Sequence, residues 1–251
     1  MPPRRCAAPP SLRAKRDDDG ATDRTRCSAC NLRELCLPFG LEGEQMAAFS
    51  DNIAFTRRRV KRGNTLYRSG EAFSAVYAVC AGFFKCSVVL EDGRDQVTGF
   101  HMAGEIVGMD GIGSGQYTTD AIALEDSEVC IIPYARFEEA GMQRQLHKAM
   151  SRELVRNQGV MMLLGTMRAE ERLAAFLLNL SMRFAARGFS PSEFHLRMTR
   201  EEIGSYLGLS LETVSRHFSR FQEDGLIAVR QKHIRIHDIA GLKSVMGKAG
   251  H

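Results

Sequence analysis

Apolar and polar positions change rhythm along this chain. Between residues 53 and 133, short apolar stretches at 75–80, 83–90, 96–100 and 129–132 alternate with turn signals. The turns are Arg62-Gly63-Asn64, Ser69-Gly70-Glu71, Glu91-Asp92-Gly93 and Gly113-Ser114-Gly115. Short strands at this spacing predict a β-sandwich or β-roll, and Asp92-Gly93 between two apolar runs predicts a hairpin. From Arg136 to about Asp224 the rhythm is helical. Within it Met150, Leu154, Asn157, Met161 and Leu164 recur at the alternating four- and three-residue spacing of an a/d seam. The helix carrying this stripe is expected at about 143–165. Two readings fit the stripe: packing on the chain's own core, or pairing with the same helix of a second copy. Asn157 favours pairing, because a polar seam residue sets register and oligomer state at a cost in stability.

The C-terminal rhythm is more specific. Thr199 with Glu202 three residues later forms a capping box. A helix 200–207 follows, with Ile203, Tyr206 and Leu207 on its apolar face. Gly208 suits the left-handed end of that helix, and Ser210 caps the next. The second helix, 211–222, is expected to bury Val214, Phe218 and Phe221 and to expose Glu212, Thr213, Ser215, Arg216, Ser219 and Arg220. Two short helices across a glycine turn predict a helix-turn-helix whose second helix enters the DNA major groove. Arg216 suits guanine, Glu212 suits the amino group of cytosine, and Ser215 reaches a base or a phosphate. The stretches 227–230 and 233–236 read as a wing hairpin, with Arg230, Lys232 and Arg235 for phosphates.

Length and composition narrow the class. At roughly 100–200 residues per domain, 251 residues favour two domains. No apolar run approaches the ~18 residues of a membrane span, and residues 1–26 lack a secretory h-region, so a cytoplasmic location is expected. The net charge is only +4, but residues 27–135 are acidic on balance and 197–237 basic, which suits a nucleic acid partner at the C-terminal end. Residues 1–26, with two Pro-Pro pairs and an Asp17-Asp18-Asp19 run, read as a disordered tail. An enzyme is not expected. No G-x-G-x-x-G, P-loop or nucleophile elbow is present, and nothing pairs His101 with Asp110 as an acid–base unit.

Seven cysteines are too many to pass over: Cys6, Cys27, Cys30, Cys36, Cys80, Cys86 and Cys130. Cys27, Cys30 and Cys36 put three soft ligands on one short loop, fit for an iron–sulfur cluster or zinc with a fourth ligand from elsewhere. Free or redox-active thiols are the remaining reading. Spacing alone leaves the choice open.

Six stretches together resemble one family: 27–38 (CSACNLRELCLP), 96–115 (QVTGFHMAGEIVGMDGIGSG), 129–133 (VCIIP), 169–176 (AEERLAAF), 187–193 (RGFSPSE) and 199–216 (TREEIGSYLGLSLETVSR). The chain resembles the FNR branch of the CRP/FNR regulators, anaerobic transcription factors that carry an oxygen-labile [4Fe–4S] cluster. The resemblance spans about Cys27 to His237. It implies an α+β chain: an N-terminal β-roll of the cyclic-nucleotide-binding jelly-roll type, a long dimerisation helix and a C-terminal winged helix-turn-helix. Expected divisions are 27–140 (cysteine arm and β-roll), 141–168 (dimerisation helix) and 169–251 (DNA-binding domain). It implies Cys130, in the V-C-x-I-P context, as the fourth cluster ligand beside Cys27, Cys30 and Cys36. Cys80 and Cys86 fall where the family has no ligand and read as small buried hydrophobes. The run from Glu212 to Arg216 matches the family's E-x-x-S-R reading motif, which implies a palindromic target with TTGAT half-sites.

Two departures follow from the same resemblance. Relatives that bind cyclic AMP carry an Arg-Ser or Arg-Thr pair for the phosphate. Here Gln116-Tyr117-Thr118-Thr119 offers no arginine, so no cyclic nucleotide is expected despite Gly104-Glu105. Well-known members carry aspartate where Asn157 stands, and Asn removes the like-charge repulsion across the seam. The expected working state is a cytoplasmic homodimer on double-stranded DNA, touching RNA polymerase through exposed β-roll loops such as 91–94. The alternative keeps the DNA binding and replaces the cluster with a zinc or thiol switch, or a small-molecule sensor.

Overall fold

The computed structural model describes residues 27, 30–52, 56–139 and 143–247. The expected tail 1–26, with Cys6, lies outside the described residues. The elements run α1 (Gly43–Asn52), β1 (Thr56–Val60), β2 (Thr65–Tyr67), β3 (Ala75–Ala81), β4 (Phe83–Val89), β5 (Asp95–Met102), β6 (Ile106–Val107), β7 (Asp120–Ala123) and β8 (Ser127–Pro133). Then come α2 (Ala135–Glu139), α3 (Gln143–Thr166), α4 (Ala169–Ala185), β9 (Glu193–His195), α5 (Arg200–Leu207), α6 (Leu211–Glu223), β10 (Ile227–Arg230), β11 (His233–Ile236) and α7 (Ile239–Gly247).

The N-terminal strands form two antiparallel sheets, ordered β1-β8-β3-β6 and β2-β7-β4-β5. Alternation along β3 explains why the first sheet is covered on both sides. Ala75, Tyr77 and Val79 face the inter-sheet core with Phe84, Ala121 and Val129. Val76 and Ala78 face a second core built with Leu37, Phe49, Ile132, Phe137, Leu146 and Ala149. The cysteine-bearing loop, α1, α2 and the start of α3 are therefore laid over one sheet face.

A third core unites the C-terminal module with the other sheet. Leu173, Phe176, Leu177, Ile203, Leu207, Val214, Phe218 and Phe221 pack with Phe83, Val97, Phe100 and Met102 of β4 and β5. The expected helical texture between α4 and α5 is interrupted. β9 pairs antiparallel with β11, Phe194 opposite Ile234, so the wing is a three-stranded sheet. The α+β architecture of β-roll, long helix and winged helix-turn-helix is thus present. No helix among the described residues is long and apolar enough to cross a membrane.

Candidate functional site

The cysteine loop is a run of tight turns. Cys30 N–H donates to Cys27 C=O at 3.1 Å, Arg33 N–H to Cys30 C=O at 3.2 Å, and Cys36 N–H to Leu32 C=O at 3.0 Å. Winding the chain this closely turns Cys27, Cys30 and Cys36 toward one cavity, walled by Leu32, Leu37, Val79 and Ile132. β8 supplies Cys130 and β3 supplies Cys80 to the same cavity, which encloses about 30 Å³. Cys130 enters because β8 lies between β1 and β3, directly beneath the loop.

The thiols sense one another. Burial holds Cys27 well above the ordinary thiol range, and Cys36, Cys130 and Cys30 raise it further by like-charge repulsion. Cys36 is pushed up to about 12, chiefly by burial and with help from Cys130 and Cys30, against the opposing Leu37 backbone N–H. Opposed soft thiols against aliphatic walls are a donor set that suits an iron–sulfur cluster or zinc. No group of three His, Cys, Asp or Glu side chains among the described residues is arranged to hold a single metal ion. Loading would have to displace protons from the buried thiols.

Cys80 differs from its expectation as a core filler. It is half-buried, and its Sγ lies 2.9 Å from that of Cys130. The reason is a bulge in β3 between Val79 and Ala81, opposite β8. Cys86 is the buried small side chain expected of it, with its Sγ 3.9 Å from the Tyr67 hydroxyl.

Arginines tie this loop to the rest of the chain. Arg152 of α3 donates to the carbonyls of Leu35 and Cys36 at 3.4 and 3.2 Å and lies over the Phe39 ring. At the other end of α3, Arg172 donates to Leu164 C=O at 2.7 Å, Met167 C=O at 2.9 Å and Leu207 C=O at 3.1 Å. One guanidinium thus joins the end of α3 to the end of α5. Between them, Glu105 takes Arg156 of α3 at 2.9 Å and Arg183 and Arg187 from the α4 region at 2.7 Å each. Burial alone would raise the Glu105 carboxyl, but Arg183 and Arg156 outweigh it and hold it at about 2. His101 is held well below its ordinary range by burial and by Arg156, so its neutral ring accepts the Arg156 guanidinium at Nδ1, 3.0 Å away.

The outer face of α3 carries the seam. Met150, Leu154, Asn157 and Met161 are exposed and Leu164 is half-buried. Leu154 is 60% and Met161 71% exposed, and Val155 and Met162 widen the apolar strip beyond the expected stripe.

In the C-terminal module the local signals fall where the sequence put them. Thr199 Oγ1 accepts from Glu202 N–H at 3.1 Å, while Thr199 N–H donates to the Glu202 carboxylate at 2.7 Å. Ser210 Oγ accepts from Thr213 N–H at 3.1 Å. Val214, Phe218 and Phe221 are buried beneath the helix, and Glu212, Arg216 and Arg220 are exposed on it, with Thr213 and Ser215 half-buried. Glu212 is held below the usual carboxylate range by its own backbone N–H and by Ser210, so it presents an acceptor. Arg220 is paired with Glu170 at 2.9 Å, and Lys232 donates to Arg197 C=O at 3.0 Å.

Gly204, inside α5, is a close-packing residue against the turn that the sequence reading missed. A Cβ there would lie 2.5 Å from the Leu209 carbonyl oxygen, a backbone atom with no room to give. Its signal was local: a glycine inside α5 whose carbonyl accepts from Leu209 N–H at 2.9 Å. Gly204→Ala is expected to cost about 1–3 kcal/mol by overpacking this turn, read as a lower thermal midpoint together with weaker DNA binding.

A larger cavity of about 550 Å³ opens between the β-roll and α3, lined by Tyr67, His101, Asp110, Thr119, Glu153 and Asn157. On its wall the turn lacking arginine spends its donors internally. The Thr118 and Thr119 N–H groups and both hydroxyls donate to one oxygen of Asp110, at 2.8 to 3.1 Å.

Comparison with known proteins agrees with this architecture. Residues 57–144 match the cyclic nucleotide-binding domain and 171–245 the Crp-like helix-turn-helix domain. The chain is 46% identical over 231 residues to the transcriptional regulatory protein btr of Bordetella pertussis, covering 90% of this chain and 95% of that one. It is 42% identical over 226 residues to the fumarate and nitrate reduction regulatory protein of Escherichia coli, covering 88% and 90%. Among solved structures, FixK2 from Bradyrhizobium japonicum superposes with a TM-score of 0.70 at 30% identity, covering 76% of this chain and 96% of that one. A β-roll, a long helix and a capped helix-turn-helix, shared with such relatives over nearly their whole length, make this chain a DNA-binding transcription regulator, not an enzyme, and a member of the CRP/FNR family.

Proposed function

We propose that this regulator senses oxygen through a [4Fe–4S] cluster held by Cys27, Cys30, Cys36 and Cys130, and that it binds TTGAT palindromes as a homodimer when oxygen is absent. The observation that carries the reading is the placement of these four thiols around one cavity whose loop is gripped by α3. When bound, such a cluster supplies a group that oxygen destroys. The chain's own part is mechanical. Residues 30–38 seat against β8, Arg152 fixes the loop carbonyls to α3, and Arg172 fixes the far end of α3 to the reading module. The proposed divisions are a sensor over 27–140, a dimerisation helix over 141–168 and a DNA-binding domain over 169–251.

The exposed strip of Met150, Leu154, Asn157, Met161 and half-buried Leu164 supports pairing of two α3 helices, because an apolar stripe of this length gains from a partner. Paired subunits would set two α6 helices about one DNA turn apart. Asn157→Asp is expected to weaken the cluster-free dimer at least about tenfold through like-charge repulsion across the seam, measured by sedimentation equilibrium at low salt.

In this reading Arg216, Glu212 and Ser215 read bases, with Thr213, Arg220 and Lys232 on the backbone. Arg220 and Lys232 would exchange their present partners for phosphate. Arg216→Ala is expected to lower affinity for a TTGAT palindrome about 5- to 150-fold, the 1–3 kcal/mol of a bidentate guanine contact. The check is a titration against the same palindrome with its guanines replaced, for which the variant should lose little. The Asp110 clasp and the triple arginine pairing of Glu105 support a β-roll that takes no cyclic nucleotide, since its donors and its carboxylate are already engaged. The exposed 91–94 turn is the proposed contact for RNA polymerase, in the cytoplasm.

A zinc or thiol switch is the second reading, favoured by the fifth thiol at the cavity. Anaerobic purification separates the two. A brown protein that bleaches in air supports the cluster, and a colourless protein with stoichiometric zinc supports the switch.

A further inference from the structure

We propose that Cys80 and Cys130 form a thiol-oxidation site, closing to an intramolecular disulfide when the metal-free chain meets a peroxide. The two Sγ atoms already lie 2.9 Å apart, about 0.9 Å from the ~2.05 Å of a disulfide bond. Their placement comes from the sheet. Cys130 pairs across the ladder with Ala78, and the bulge between Val79 and Ala81 brings Cys80 beside it on the same cavity. Both side chains are half-buried rather than sealed, so a molecule as small as hydrogen peroxide has a path to them. Neither sulfur has to leave its strand to meet the other.

The reaction balances without a metal. One sulfur attacks a peroxide oxygen, the O–O bond breaks, and a sulfenic acid and one water result. The second sulfur attacks that sulfenic sulfur, the S–O bond breaks, and a second water leaves with the proton of the second thiol. Two thiols and one peroxide give one disulfide and two waters, and a dithiol reductant reverses the change.

The consequence for metal loading rests on the proposed role of Cys130 as a ligand. With Cys130 bonded to Cys80, only Cys27, Cys30 and Cys36 remain, and loading waits on reduction. Cys80 would then make an oxidised, iron-free chain a distinct state, one that return to anaerobic conditions alone does not reverse.

The test takes the full-length chain, purified in air, reduced and desalted. It receives a stoichiometric pulse of hydrogen peroxide, is blocked with N-ethylmaleimide and is mapped by peptide mass spectrometry. The expected product is a cross-linked pair joining Cys80 to Cys130, lost on treatment with dithiothreitol and absent from Cys80→Ser. Cys86→Ser should give the same link as the unmodified chain, which controls for the burial of a neighbouring thiol. A link from Cys130 to Cys27, Cys30 or Cys36, or alkylation of both Cys80 and Cys130 after peroxide, overturns the proposal. The mapping reads the disulfide whether or not the loop ever holds iron. Failure of the reduced chain to take up iron would refute the cluster and leave the disulfide standing.

Discussion

Cys130→Ala should yield a colourless protein with background iron after anaerobic purification, and its DNA affinity should fall to that of the air-exposed chain. The expected fall is about 5- to 150-fold, the size of a coupling of 1–3 kcal/mol between two sites. The reason is positional. Of the four proposed ligands, Cys27, Cys30 and Cys36 sit on the loop, whereas Cys130 belongs to the sheet beneath it. Removing it would leave the three loop thiols of the proposed set without their partner from the sheet, so that a bound cluster could no longer couple the loop to β8. The strand itself should persist, because Cys130 is half-buried and its neighbours Val129 and Ile132 carry the packing. Unchanged far-ultraviolet circular dichroism together with lost iron is therefore the expected pair of results. Iron retained at the wild-type level would show that the fourth ligand lies elsewhere, with Cys80 the first residue to test.

Glu105→Gln should cost more in stability than any other substitution considered, about 3–5 kcal/mol, the usual penalty for removing one partner of a buried ionic cluster. Its carboxylate stands between Arg156, Arg183 and Arg187, and the amide would leave three guanidiniums facing one another. The effect depends on pH with a definite sign. The carboxyl is held at about 2 in the folded chain, against an ordinary value of 4.5. Its contribution is fully present above the ordinary value and is lost as pH falls toward 2. Stability of the unmodified chain should thus drop through this window, and Glu105→Gln should flatten that drop while lowering stability at neutral pH. Urea titrations at pH 7 and pH 3.5 on both proteins would show it. A variant whose stability loss is the same at both values would mean that folding does not shift the Glu105 carboxyl and that the three arginines do not hold it down.

How much of this was legible in the sequence depends on distance along the chain. The helix-turn-helix was readable because its determinants are local: Thr199 and Glu202 cap one helix, Gly208 ends it, and Ser210 caps the next. The thiol loop was readable for the same reason. Cys130 was not, because only the pairing of β8 between β1 and β3 brings it under the loop, and it entered through resemblance. Arg152, Arg156 and Arg172 looked like ordinary charges on helices. Their inward reach to carbonyls and to Glu105 is a tertiary fact. β9 hid in a segment with helical rhythm because only Phe194 of its three residues is buried. Cys80 was misread because a bulge, invisible in the sequence, sets its neighbour.

The central claim is that the thiol pocket governs the reading helix. It is tested most directly by one titration of a labelled TTGAT palindrome with the iron-loaded chain kept free of oxygen, repeated on the same sample after air. Affinity should fall about 5- to 150-fold as the visible absorbance bleaches. Equal affinity before and after bleaching would contradict the account.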